Sequence, residues 1–160
     1  MKIRAGFVSN SSSTSFVVAF PAGFVATPAT VRAYLFPTPR RAASWPTEAI
    51  AKAVYDQMTR APQYSSTHIR MGLGGFRGCP RFEYDFRHPE RNSLSFEVAA
   101  RRYDEAYDRA ALIYLVSRFG PGHDFYGFTF WDNVDDAAHD AIADRWRFAG
   151  VPHTRPLAGH

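Results

Sequence analysis

Cysteine is almost absent: Cys79 is the only one in 160 residues. That excludes an internal disulfide framework and any zinc site built on several cysteines. Lysine is nearly as scarce, Lys2 and Lys52 standing against 17 arginines. No apolar run approaches the ~20 residues that a bilayer-spanning helix needs, and the mean hydropathy is −0.30, so no membrane partner is expected. A secretory leader is not expected either, because the apolar start is broken from Ser9 onward by Ser-Asn-Ser-Ser-Ser-Thr-Ser. Recognised catalytic motifs are missing as well. These absences point to a cytoplasmic protein and, at this length, to a single domain over 1–160.

What is present is aromatic and apolar. Hydrophobic residues make up 46% of the chain and aromatics 16%, 14 of them Phe, which is enough to build a packed core. The charge is divided: residues 1–102 carry a balance of +8, and residues 103–160 a balance of −4. A basic front and an acidic back make a dipolar molecule able to steer a partner. Arginine forms the bidentate contacts that phosphate recognition uses. The basic residues are dispersed along the chain, however, and a general Arg-for-Lys bias accounts for them better than a binding site does.

Hydrophobic periodicity places the elements. Ile3, Ala5 and Phe7 alternate, and Phe16 to Phe20 is continuously apolar; both read as strands joined by a turn-rich Ser9–Ser15 segment. Prolines at 21, 28, 37, 39 and 46 mark ordered loop, with a short helix after Thr27-Pro28. A second helix opens at Pro46-Thr47-Glu48, with Ile50, Val54 and Met58 on one side. Strands are expected at 68–76 and 81–88, the latter with Phe82, Tyr84 and Phe86 on one side. Glu97 to Phe119 reads as the strongest helix, and its apolar Ala111–Val116 end is expected at the centre of the core. After an aromatic strand at 123–131, Asp132 opens a last helix with Val134, Ala138, Ala141, Ile142 and Trp146 on its buried side. The pattern predicts an α+β fold: a mostly antiparallel sheet covered on one face by about three helices.

The string Gly6-Phe7-Val8-Ser9-Asn10-Ser11-Ser12-Ser13-Thr14-Ser15-Phe16 resembles a signature near the start of many small uncharacterised proteins of tailed phages and bacteria. Those begin with Met, a basic and an apolar residue, then Gly-Phe-Val-Ser-Asn, a run of Ser and Phe; Thr14 is the one departure. The resemblance covers about a tenth of the chain. It implies a phage or prophage origin and a place in the cytoplasm of a bacterial host, and it lends no chemistry.

Three residue sets are candidates for function. Ser9, Asn10, Ser11, Ser12 and Ser13 form a polar tract whose backbone N–H groups suit an anion, or whose hydroxyls suit modification; a self-bonded hairpin loop explains the same residues. Asp136, His139 and Asp140, with His153 folding back, have the donor types for a divalent transition metal and a metal-dependent hydrolase. The D-x-x-H-D spacing is not a specific metal signature, and a solvated acidic helix face explains it too. Arg40, Arg41, Arg101 and Arg102, with an exposed aromatic, are candidates for contact with nucleic acid. The expectation placed first is a non-enzymatic interaction module with a protein partner, a host or virion component.

Overall fold

The computed structural model describes residues 13–37, 47–60, 66–131, 152–154 and 157–159. They form β1 (Ser13–Pro21), α1 (Pro28–Leu35), α2 (Thr47–Thr59), α3 (Ser66–Leu73), a 3₁₀ turn (Pro89–Arg91), α4 (Phe96–Phe119), β2 (His123–Trp131) and β3 (Leu157–Gly159). The protein is an α+β fold on an antiparallel sheet of order β2-β1-β3. Val134, Ala138, Ala141, Ile142 and Trp146, and the expected strand at Ile3–Phe7, lie outside the described residues.

The helices cover both faces of this sheet, not one. Phe16, Val18 and Phe20 pack with Val31 and Leu35 of α1, with Ile50, Val54 and Met58 of α2, and with Phe128 and Phe130 of β2. Val17, pointing the opposite way, packs with Leu73 of α3 and with Tyr107, Ala111 and Leu115 of α4. Burial on both sides is why Phe16–Phe20 is an unbroken apolar run: a strand with one wet face alternates. Phe16 lies opposite Phe128 in the ladder, and its ring centroid is 5.6 Å from that of Phe128 and 5.7 Å from that of Phe130.

Local chemistry explains the helix ends. Thr27 and Thr30 form a reciprocal capping box, each hydroxyl accepting from the other's backbone N–H at 3.1 and 2.8 Å, with Pro28 in the first turn. Ser95 caps α4 by accepting from the Val98 N–H. Gly120 ends it at φ +86°, a backbone that side chains resist.

Two polar devices lock the sheet. On the side of β2 remote from β1, the buried Gln57 amide clasps one peptide: Nε2 donates to the Thr129 carbonyl at 2.8 Å, and the Thr129 N–H donates to Oε1 at 3.2 Å. A side chain thus satisfies a strand edge that would otherwise be left unpaired. On the other side, Val18 faces His153 while Ser15 faces Leu157. Three steps along β1 match four along the returning chain, the count of a β-bulge. Thr154 lies opposite Val17. Its N–H donates to the Val17 carbonyl at 2.8 Å, and its Oγ1 accepts from the Val17 N–H at 2.8 Å where a regular ladder would offer a carbonyl. The same hydroxyl donates to the Gly72 carbonyl at 3.2 Å, tying α3 to the sheet.

Three expectations are corrected. The strand expected at 68–76 does not form: Ser66–Leu73 are the helix α3, whose Gly72 lies so close to β1 that a Cβ would be 2.7 Å from the Phe16 carbonyl carbon. The 81–88 segment keeps its alternation, with the rings of Phe82, Tyr84 and Phe86 in mutual contact, but among the described residues it joins no strand ladder and packs on α4 instead. Finally, Ser13–Ser15 are not turn but the buried start of β1.

Candidate interaction surface

Of the polar tract, Ser9, Asn10, Ser11 and Ser12 lie outside the described residues. Ser13, Thr14 and Ser15 are buried in β1. Ser15 Oγ pairs across the ladder with Thr129 Oγ1 at 3.0 Å, a Ser–Thr cross-strand pair of the kind that stabilises sheets. Thr14 Oγ1 has no partner among the described residues. Ser13 is therefore a strand residue with its side chain out of solvent.

Asp136, His139 and Asp140 lie outside the described residues. His153 is half-buried in the bridge opposite Val18. Among the described residues no three His, Cys, Asp or Glu side chains converge as a metal site would require. Arg40 and Arg41 also lie outside, whereas Arg101 and Arg102 are exposed on α4 and make no ion pair among the described residues. Among those residues no helix is long and apolar enough to cross a membrane.

Charge is organised most tightly where α3 meets α4. Arg70 Nη1 donates to Asp104 at 2.6 Å and Nη2 to Asp108 at 3.4 Å, and the guanidinium lies 4.6 Å from the centroid of the Tyr107 ring. Partial burial works against the Arg70 cation, but the hydrogen bonds and charges of Asp104 and Asp108 outweigh it and hold the guanidinium above its ordinary range. Burial pushes the Tyr107 phenol up from 10.0, with the neighbouring Cys79 acting in the same direction and Arg70 against it. This arrangement is a clamp between two helices, in which the buried Arg70 Nε has no partner among the described residues.

Among the described residues the outward side of α4 has no such partner. Tyr107, Ala111 and Leu115 face the sheet, so residues half a helical turn away point to solvent. They are Leu112, Ile113 and Val116, with 55%, 70% and 38% of their surface exposed. The apolar Ala111–Val116 end is thus split, one stripe in the core and one on the surface, which corrects the expectation of full burial. Apolar side chains left in water forgo about 1.5–3 kcal/mol each relative to full burial. Arg109, one turn earlier, makes no ion pair among the described residues, and neither does Glu105.

A second exposed feature is aromatic. Phe82, Tyr84, Phe86 and Phe96 form a shelf with centroid separations of 5.0–6.3 Å. Tyr103 backs it, 5.3 Å from Phe82. Phe86 is 66% exposed and Phe96 44%. Sequence patterning placed the first three rings on one side but took them for the buried face of a sheet.

No protein-family model, no curated protein and no solved structure matches this chain. Function is therefore argued from the surface itself.

Proposed function

We propose that the protein is a non-enzymatic interaction module of phage or prophage origin, which docks on a protein component of its host or virion through the outward face of α4. The observation that carries this reading is the exposed trio Leu112, Ile113 and Val116 on a well-capped helix whose opposite stripe is already committed to the core. Apolar side chains grouped in this way mark contact sites more often than isolated ones do. The helix is rigid before binding, so little ordering entropy is lost on association. Arg109 beside the trio favours a partner whose apolar surface carries a carboxylate at its rim, because a rim charge sets orientation and encounter rate. The resemblance of Gly6–Phe16 to a signature of small phage proteins is what favours a host or virion component.

The test is a quantitative affinity purification from phage-infected host cells with wild-type protein and with Ile113→Glu. Position 113 is exposed, so the substitution leaves the fold intact, as a urea midpoint checks. The reading expects one stoichiometric protein to be retained by the wild type and lost with Ile113→Glu. Equal recovery of the same proteins by both would overturn it.

A further inference from the structure

We propose that the aromatic shelf is a binding site for single-stranded nucleic acid, with Phe86 and Phe96 stacking unpaired bases and Arg87 and Arg91, on the loop that carries Phe86, holding the phosphates. This site is independent of the apolar face of α4.

The shelf is built to stay where it is. Asn92 Oδ1 accepts from the Asp85 N–H at 2.9 Å, and Asn92 Nδ2 donates to the Asp85 and Pro89 carbonyls, both at 3.1 Å. The Asp85 carboxylate in turn accepts from the Arg87 and His88 N–H groups at 3.0 Å each. These bonds fix the loop that carries Phe86, and the rings of Phe82, Tyr84 and Phe86 meet Phe96 in the first turn of α4. The two rings lie 5.8 Å apart, next to each other and open to solvent, so adjacent nucleotides can each find a face. Pre-organised aromatic faces bind bases without preference for sequence, since every base has a π-face.

Charge then selects the ligand. Residues 77–102 carry six arginines against four acidic residues. None of the six makes an ion pair among the described residues, and Arg87, Arg91, Arg101 and Arg102 are exposed. Two of the four carboxylates are already engaged, Asp85 by backbone N–H groups and Glu90 beside His88. The stretch that carries the rings is net positive by two charges. A polyanion whose units offer flat faces fits both features, and arginine suits it twice, by planar phosphate contact and by stacking. A duplex hides its base faces in the stack, so the single strand is the form the shelf can use.

Fluorescence anisotropy with a labelled mixed-sequence DNA strand of about 20 nucleotides, longer than the ~4–16 nucleotides such sites span, tests the proposal. Wild-type protein is expected to bind, with affinity falling steeply between about 50 and 200 mM salt. The Phe86→Ala/Phe96→Ala double variant is expected to bind at least ~10-fold more weakly, Phe86→Trp to retain affinity, and Arg91→Ala to reduce the salt slope by about one. Far-UV circular dichroism of each variant keeps a folding defect distinguishable. No binding by folded wild-type protein at the lower salt, equal affinity for the matching duplex, or binding that the double Ala variant leaves unchanged would each overturn the proposal.

Discussion

Replacing Thr154 with Val changes almost nothing in shape and removes one hydroxyl. Among the described residues that hydroxyl is the one acceptor for the Val17 N–H, at 2.8 Å, and it donates to the Gly72 carbonyl at 3.2 Å. Val17 is fully buried and Thr154 is 5% exposed, so water cannot take over either bond. An orphaned buried N–H costs about 1–3 kcal/mol, and the lost bond to the carbonyl about 0.5–1.5 kcal/mol more. Thr154→Val should therefore destabilise the fold by roughly 2–4 kcal/mol, a large share of the ~5–15 kcal/mol that holds a domain together. In a chain of this length that lowers Tm by roughly 4–16 °C. Urea unfolding followed by tryptophan fluorescence reads the change as a lower midpoint at unchanged slope. Thr154→Ser keeps the hydroxyl and is expected to lie much nearer the wild type. A Thr154→Val midpoint within ~0.5 kcal/mol of wild type, or a Ser variant as unstable as the Val variant, would refute the reasoning.

Gly72→Ala sets two effects against each other. Helix propensity favours Ala by up to ~1 kcal/mol, but the new Cβ would lie 2.7 Å from the Phe16 carbonyl carbon, and overpacking against backbone costs about 1–3 kcal/mol. Net destabilisation is expected in urea, and a stabilised variant would show that α3 does not approach β1 this closely. Gln57→Leu strips both bonds from the buried Thr129 peptide and should lower stability by roughly 2–4 kcal/mol, with hydrogen exchange at Thr129 accelerated. Burial raises the Tyr34 and Tyr107 phenols above 10.0 in the folded state. Their contribution is complete below pH 10 and is lost as the pH rises through the folded values, because the unfolded chain releases those protons first. The urea midpoint should fall from about pH 10 upward, and less steeply in Tyr107→Phe; an unchanged slope in that variant would contradict the buried placement of the ring.

Much of the fold is legible where local chemistry and packing agree. The apolar run Phe16–Phe20, the Thr27-Pro28 helix start, the Ile50–Val54–Met58 stripe and the Gly120 stop each announce the element that forms. The misread parts share one cause, contacts distant in sequence that patterning does not carry. Residues 66–73 are helical, although their one glycine suggests a turn, because Gly72 is what lets that helix lie against Phe16. The alternation of Phe82, Tyr84 and Phe86 is real, but its partner is α4 rather than a neighbouring strand. Ser13–Ser15 read as a turn by composition, yet Ser15 finds Thr129 across the ladder, and the strand begins three residues early. The surface of α4 was half visible: an apolar end on all sides means either full burial or a second contact face, and only the position of α4 as the outer layer decides between them.

The measurement that bears most directly on the proposed role is site-specific photo-cross-linking inside the phage-infected bacterial host. A photoreactive amino acid is placed at position 113 and, as a control on the far side of the sheet, at the exposed position 33 of α1. The account predicts one discrete protein adduct at 113 and none at 33. No adduct at 113, or the same adduct from both positions, would contradict it.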